Sequence, residues 1–197
     1  SAYTYREIDA ATCEKFKEQS KQQIDFMSQT IDDFRDYFRE DKTKSEFLVS
    51  EKVYAVVSLL QPQFAMNGIT VSVDSSTGGR VYGYANEFMH AVLNIINNAK
   101  DAIMASDTVN KTIDIHVYEK ANMCVLTVHD HAGGIEQDIL GRLFDPYVTT
   151  KGDSCGTGIG LYLCKTIIVE HMGGELTAQN ENDGALFQVS LPLSVSH

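Results

Sequence analysis

The first forty residues follow a different hydrophobic pattern from the rest of the chain. Five apolar residues recur there at intervals of 3, 4, 3 and 4 residues: Ile24, Met27, Ile31, Phe34 and Phe38. This heptad spacing, in a stretch without glycine or proline, predicts one long helix with an apolar seam. The apolar side chains of this seam must be buried, either against a partner helix or against the surface of the helix's own domain. The charged stretch "REDKTK" ends this pattern, so we divide the chain into residues 1–42 and 43–197.

Beyond this boundary, short alternating stretches are interleaved with helical ones. Strands are predicted at 46–50, 69–74, 80–85, 112–120 and 123–130, and in a final hairpin over 175–193 that turns at Asn182-Asp183-Gly184. Helices are predicted over 51–64 (kinked or ended at Pro62), 86–105 and 157–171. The order predicts an α/β two-layer sandwich, with one mixed sheet and helices on one face.

Composition narrows the classes of ligand. A net charge of −11 argues against broad binding to nucleic acid or anionic lipid, but a small anionic ligand remains possible. The four cysteines, Cys13, Cys124, Cys155 and Cys164, are far apart, which is typical of free thiols in a reducing compartment. The sequence contains no apolar run of membrane-spanning length and no signal peptide. We therefore expect a cytoplasmic domain, an expectation that is compatible with a membrane anchor elsewhere in the parent protein.

The helix predicted over 86–105 has an unusual polar side. Its apolar residues fall on one face: Val92, Ile96, Ala99 and Ile103. Asn94, Asn98 and Asp101 fall on the opposite face, with Asn97 beside them. Asparagine is a mediocre helix former, and its side-chain oxygen is a hard neutral ligand that suits Mg²⁺. The alternative is that these amides only form hydrogen bonds to a loop.

A second feature is the strand end "VHDHAGGI". Asp130 stands there before two glycines, where a carboxylate can accept a hydrogen bond from an amino group such as that of adenine. An ordinary aspartate at a turn is the alternative. His129 and His131 share one strand face, so a pair of metal-binding histidines is a further alternative. Since no cysteine or further histidine follows at ligand spacing, partly exposed histidines are the favoured interpretation.

The third feature is the glycine loop "GTGIGL" before the last predicted helix. Its G-x-G-x-G spacing fits neither the dinucleotide fingerprint nor the P-loop. A loop that enters a helix N-terminus nevertheless offers free N–H groups and the positive end of the dipole to polyphosphate. Upstream, "LFDPYVTTKGDSC" supplies an aromatic-proline anchor at Phe144, Pro146 and Tyr147, followed by a polar stretch that can act as a lid.

Together and in this order, the motifs resemble those of the catalytic ATP-binding domain of sensor histidine kinases, within the ATPase group that includes DNA gyrase and heat-shock-90 chaperones. "NIINNAKDA" resembles the N box, "DHAGGI" the first glycine box, "LFDPYVTTK" the F box and "GTGIGL" the second glycine box. The resemblance covers residues 46–193 and is nearest to the nitrogen-regulator type. It implies transfer of the γ-phosphoryl group of ATP to a histidine, for relay to a response regulator.

The resemblance also implies residue roles. Asn98 would coordinate Mg²⁺ and, with Asn94, serve catalysis; Asp130 would bind the adenine amino group, with Gly134 backing the ring. The remaining nucleotide contacts would come from the motif residues and from the lid over 147–155: Asp101, Ile135, Phe144, Thr149, Thr150, Lys151, Gly156, Thr157, Gly158, Ile159, Gly160 and Leu161. Ala132 stands where the first glycine box usually has its first glycine. This difference bears on the tight backbone geometry of the box and not on nucleotide binding.

Asn94 discriminates within the group, because the ATPase relatives carry a water-activating glutamate there and an amide cannot act as that base. The six histidines all lie at or after His90, and residues 1–42, which resemble the second helix of a phosphoacceptor hairpin, contain none. We therefore expect no autophosphorylation by this chain. Its expected partners are a phosphoacceptor helix of its own or a sister chain, a response-regulator receiver domain, and a second copy bound through the N-terminal helix. The alternatives are an ATPase and an anti-sigma or adaptor module.

Overall fold

The computed structural model describes residues 43–148 and 158–194. Its strands are β1 (Ser45–Leu48), β2 (Thr70–Ser75), β3 (Arg80–Gly83), β4 (Thr112–Lys120), β5 (Met123–Asp130), β6 (Glu175–Glu181) and β7 (Gly184–Pro192). Its helices are α1 (Val49–Asn67), α2 (Ala85–Ala105), α3 (Gln137–Leu140) and α4 (Gly160–Lys165), and α4 continues as a π-helix over Thr166–His171. The long helix predicted within 1–42 lies outside the described residues. No described helix has the length and apolarity needed to cross a bilayer.

The strands form two sheets where the sequence predicted one. Five strands pair in the order β2-β4-β5-β7-β6, with β2 parallel to β4 and the other pairs antiparallel. The mixed sheet is therefore confirmed. β1 and β3 instead pair with each other as a separate two-stranded sheet. Although β2 and β3 are neighbours along the chain, they lie in different sheets, which local hydrophobic patterns do not reveal.

The helices cover one face of the large sheet. In β4, Ile113, Ile115 and Val117 are fully buried, while Asp114 and His116 between them are more exposed, as expected for a half-covered strand. The predicted apolar stripe of α2 is buried throughout: Val92, Ile96, Ala99 and Ile103. Each of the three larger side chains, Val92, Ile96 and Ile103, contributes about 1.5–3 kcal/mol relative to exposure. This packing fixes α2 over the sheet and turns its asparagine side towards the segments that follow β5.

Two predicted helix boundaries are wrong. Helix α1 runs through Pro62 and ends at Asn67, and the following Gly68, with a φ of 65°, forms a left-handed cap. The buried side chains of Leu60 and Phe64 hold the turns on either side of the proline in the core, and this burial offsets the lost backbone hydrogen bond. Helix α1 also starts at Val49, two residues earlier than predicted, which shortens β1.

The last helix starts later than predicted and changes type. It begins at Gly160 and not at residue 157, because Gly158 has a φ of +64°, which a right-handed helix does not accept. After Lys165 the helix widens into the π form, in which the Met172 N–H donates to the carbonyl of Ile167 at 3.1 Å. Both differences are set by backbone geometry that a 3.6-residue periodicity does not report.

Candidate functional site

Asp130 ends β5 with its carboxylate almost fully buried. Only 2% of the residue is exposed, and Oδ1 accepts hydrogen bonds from the N–H groups of Ala132 at 3.0 Å and Ala185 at 3.3 Å. Within the described residues, Oδ2 accepts no hydrogen bond. Burial raises the pKa of Asp130, and the two backbone hydrogen bonds and the adjacent histidines only partly oppose that rise. Oδ1 of this buried carboxylate is hydrogen-bonded to the backbone, and Oδ2 has no donor among the described residues. The carboxylate therefore suits a ligand that donates one hydrogen bond.

The loop after Asp130 is fastened to the neighbouring hairpin. Gly133 and Gly134 have φ angles of 92° and 86°, and the Gly133 N–H donates to the Asp183 carbonyl at 2.7 Å. Asn180 of β6 accepts from the Ile135 N–H at 2.7 Å and donates to the Ile135 carbonyl at 2.8 Å. A Cβ on Gly134 would lie 2.8 Å from the Asn180 side-chain oxygen, so this position requires glycine.

Two residues that position this loop were not found from the sequence. The sequence pattern indicates only a strand position for Asn180 and only a turn position for Gly184. A Cβ on Gly184 would overlap the carbonyl oxygen of Asp130 and lie 2.5 Å from its carbonyl carbon, so β7 approaches the end of β5 as closely as glycine allows. The "NDG" motif signals a turn, but its role beneath Asp130 depends on strand pairings more than fifty residues apart.

The asparagine side of α2 meets the start of α4. A Cβ on Gly160 would lie 3.5 Å from Oδ1 of Asn94, which places this amide at the first residue of the helix behind the glycine loop. Cys164, one turn further along, donates to the Ala91 carbonyl at 3.5 Å. Burial raises the pKa of the Cys164 thiol to about 12, and a hydrogen bond with Asn94 only partly opposes it. Asn94 and Gly160, the last glycine of the second glycine motif, therefore lie together although they are 66 residues apart in the chain.

Asn98, Lys100 and Asp101 of α2 are half-buried, and each has interactions of its own. Asn98 and Asp101 lie on the same side of the helix as Asn94, and both are engaged with neighbours. Lys100 is directed away from this side: its Nζ donates to Oε1 of Gln63 in α1 at 3.0 Å and lies 3.5 Å from Oδ1 of Asp101.

The described residues on either side of 149–157 form the closed base of a loop. The N–H of Tyr147 donates to the Gly158 carbonyl at 2.9 Å, and a Cβ on Gly158 would lie 2.5 Å from the carbonyl carbon of Tyr147. Phe144 is half-buried, with Nζ of Lys165 5.9 Å from its ring. The predicted contacts within the segment lie outside the described residues: Thr149, Thr150, Lys151, Gly156 and Thr157. Two further predicted contact residues lie just after this segment: Ile159 is exposed and Leu161 is half-buried.

His129 and His131 lie on the opposite face of the sheet from Asp130, with ring centroids 4.5 Å apart. Nε2 of His131 is 2.9 Å from Oδ2 of Asp114, and Nδ1 is 2.8 Å from Oδ1 of Asp183. Burial alone would lower the pKa of His131, but the two carboxylates outweigh it and raise the pKa above its ordinary value. Asp114 was not found from the sequence because it comes from the neighbouring strand, directly opposite His129.

The described motif residues thus form two groups on the helix-covered side of β5. One is the buried acceptor Asp130 with the glycines beside it; the other is Asn94 at the start of α4, on a helix that packs against β5. A groove lined by Val81, Tyr82 and Leu193, beside the two-stranded sheet, contains none of the predicted site residues. The predicted site residues described above therefore lie at the end of β5 and at the start of α4, away from this groove.

Comparison with known proteins places this arrangement in a family. The model of the histidine kinase-, DNA gyrase B- and HSP90-like ATPases matches residues 83–195, more than half of the chain. The two-component sensor PprA of Pseudomonas aeruginosa is 38% identical over 117 residues, covering 58% of this chain and 13% of that protein. The sensory histidine kinase/phosphatase NtrB of Rhizobium leguminosarum bv. phaseoli is 34% identical over 152 residues, covering 71% of this chain and 39% of that protein.

Solved structures agree at the level of the fold. The catalytic domain of histidine kinase ThkA superimposes with a TM-score of 0.68 at 23% identity, covering 76% of this chain and 95% of that one. The chain spans well under half the length of the two relatives described above. From its motifs, its geometry and these matches, the chain belongs to the histidine kinase-, DNA gyrase B- and HSP90-like ATPase family, as a catalytic ATP-binding domain of the sensor histidine kinase type.

Proposed function

We propose that this domain binds ATP with Mg²⁺ and transfers the γ-phosphoryl group to a histidine, from which it passes to a response regulator. The nitrogen-regulator type is the subtype that the motif wording and the likeness to NtrB favour. We place the reaction in the cytoplasm, where ATP is available. The observation that carries the proposal is the state of Asp130: a buried carboxylate with Oδ1 held by two backbone N–H groups and Oδ2 without a partner among the described residues.

Adenine fits this acceptor. Its exocyclic amino group is a donor, and a donor aimed at Oδ2 would satisfy the carboxylate oxygen that the backbone does not. The glycines beside Asp130 leave the surrounding backbone without side chains, as a flat ring in close contact requires. Asn180 would act as a positioning residue, because it holds the backbone of Ile135 through both its N–H and its carbonyl.

The phosphates and the metal ion would lie towards α2 and α4. Asn94 is held against Gly160 at the start of α4, where free N–H groups and the helix dipole favour anions. Asn98 offers a neutral amide oxygen on the same side of α2, a donor type that Mg²⁺ accepts, and Asp101 follows one turn on. When bound, Mg²⁺ would neutralise charge on the phosphate oxygens. Since Asn94 is an amide, it would orient groups and not deprotonate water, which favours transfer over hydrolysis.

The acceptor histidine is proposed to come from a separate helical segment. The described histidines lie in α2, β4, β5 and the π-helix, or directly after β5, and His131 is already engaged by two carboxylates. A phosphoacceptor hairpin, a receiver domain, and dimerisation through residues 1–42 are the partners that this proposal requires.

Nucleotide binding is tested by calorimetry with Asp130→Asn. The asparagine oxygen can still accept from Ala132 and Ala185, but its amino group would face the adenine donor. We expect the Kd for MgATP to rise about 10–100-fold, the equivalent of one hydrogen bond to a charged group. Asp107→Asn, the same change at an exposed loop position, is the control and should leave affinity unchanged. An unchanged Kd in a folded Asp130→Asn protein would refute the adenine assignment.

Phosphoryl transfer is tested with γ-labelled ATP and a separately supplied phosphoacceptor hairpin. We expect acid-labile label on the hairpin and none on this chain, and loss of the label with Asn94→Ala. Steady release of inorganic phosphate without label on the hairpin would instead identify an ATPase. Nucleotide-independent binding to a partner, with neither release nor transfer, would identify an adaptor.

A further inference from the structure

The sheet face turned away from the helices carries a cluster of three metal-ligating side chains, Asp114, His129 and His131, which we call the open-face cluster. One ligand atom from each residue lies within 4.8 Å of the other two. The arrangement follows from strand register. Asp114 of β4 is paired directly with His129 of β5, and His131 is two residues further on, on the same side.

We propose that the open-face cluster binds one divalent transition-metal ion of the Zn²⁺ class. Two imidazoles and one carboxylate form a donor set that suits Zn²⁺ and its neighbours in the first transition row. Three protein ligands leave a coordination position for water. Solvent can reach the site, because the side chains of His131 and Asp114 are 15% and 36% exposed.

The surrounding hairpin supplies the supporting contacts that metal-binding histidines usually have. Nδ1 of His131 is held by the Asp183 carboxylate at 2.8 Å, which leaves Nε2 directed at Asp114. Nε2 of His129 is held by the Glu181 carbonyl at 3.1 Å. The second ring nitrogen of a histidine ligand typically donates a hydrogen bond to a carboxylate or a backbone carbonyl, which fixes the orientation of the ring. Both acceptors lie at the turn between β6 and β7.

The distances need only side-chain adjustment to accommodate an ion. Nε2 of His131 lies 2.9 Å from Oδ2 of Asp114, whereas two ligands of one tetrahedral Zn²⁺ ion are roughly 3.3 Å apart. Entry of the ion would therefore separate this pair by a few tenths of an ångström and draw the His129 ring nitrogen inward. The strand backbones need not move, since register already brings the three side chains together.

This site is distinct from the proposed Mg²⁺ site. Mg²⁺ prefers oxygen ligands and belongs with the asparagine side of α2, whereas the open-face cluster offers two nitrogens on the other face of the sheet. A bound ion would link β4 and β5, and through Glu181 and Asp183 it would brace the β6–β7 turn. The same hairpin holds the loop after Asp130, so the ion would stabilise the strand end that the adenine site uses.

The test is titration of chelator-treated, nucleotide-free protein with ZnCl₂, followed by calorimetry. Substituting Cys13→Ser and Cys155→Ser beforehand removes the thiols that lie outside the described residues; Cys124 and Cys164 are buried. We expect binding of one ion per chain. Asp183→Asn should weaken it about 10–100-fold, as expected for a supporting carboxylate, and loss of a ligand in His131→Gln or Asp114→Asn should weaken it further.

His116→Gln is the matched control. His116 lies on the same face and pairs with Asp74 at 3.8 Å, but no third ligand stands beside it within residues 43–148 and 158–194, so its loss should leave Zn²⁺ affinity unchanged. Co²⁺ in place of Zn²⁺ should give visible absorption bands in the wild type and in His116→Gln but not in His131→Gln. Equal Zn²⁺ affinity in all of these proteins would overturn the proposal, as would no binding at all. Because no nucleotide is present, either outcome leaves the ATP assignment untouched.

Discussion

The close approach of β7 to Asp130 leads to a specific prediction for Gly184→Ala. The added methyl group would overlap the carbonyl oxygen of Asp130 and lie 3.0 Å from the Cα of His131. Both obstacles are backbone atoms, so no side-chain rotation relieves the contact. Either the start of β7 or the end of β5 must shift, and the shift stretches the 3.3 Å hydrogen bond from Ala185 to the Asp130 carboxylate.

The cost follows from two terms. Overpacking in a tightly packed region destabilises by about 1–3 kcal/mol. Loss of a hydrogen bond to a charged group adds about 1.5–3 kcal/mol. Gly184 does not have a positive φ, so alanine fits its backbone conformation without strain. Because alanine also lowers the entropy of the unfolded chain, it offsets about 0.4–1 kcal/mol of the loss in folding free energy. We expect a net loss of about 1.5–5.5 kcal/mol, which lowers the Tm by roughly 3–20 °C in a chain of this size.

Urea and thermal unfolding measure this loss, and calorimetry with MgATP measures its effect on the site. Gly141→Ala is the matched control: a Cβ there meets nothing within 4 Å, and the φ of −68° accepts alanine. It should be neutral or slightly stabilising. If Gly184→Ala unfolds within about 0.5 kcal/mol of Gly141→Ala, the inferred approach of β7 to β5 is wrong.

Two further predictions concern the neighbouring contacts. Asn180→Ala removes both hydrogen bonds to Ile135 and should cost about 1–3 kcal/mol, with faster hydrogen exchange at the Ile135 amide; Gln179→Ala on the other face of the strand should not change that exchange. Alkylation of native protein at about pH 9 should leave Cys124 and Cys164 unmodified by mass spectrometry, because burial raises the pKa of both thiols to about 12. Modified Cys124 or Cys164 in folded protein would contradict their described burial.

The sequence was most informative where a local pattern determines structure. The apolar stripe of α2 is buried as predicted, because a helix on a sheet must bury one continuous side. Both hairpin turns were also located from the sequence, where Asn122 and Asn182 supply the positive φ angles that two-residue turns require. Ordered motifs then identified the family, because four polar signatures in one order are much more specific than any one of them.

The sequence was least informative about contacts between strands. Asn180 and Asp114 are ordinary polar residues in their own strands, and each gains its role only through register with a distant partner: Ile135 for Asn180, His129 for Asp114. Proline at position 62 predicts a helix end that the structure does not show, because helix propensity does not include the core burial of Phe64 two residues further along α1.

The end of β5 shows why register matters to function here. Alternation along a strand directs Asp130 towards the helices and His129 towards the other face, so one short segment serves both surfaces. The β6–β7 hairpin contacts both: Asn180 holds the loop after Asp130, while Asp183 holds His131. We therefore expect a change in the hairpin, whether a substitution or the proposed metal ion, to displace Asp130 as well, because the backbone between them is packed without spare room at Gly184.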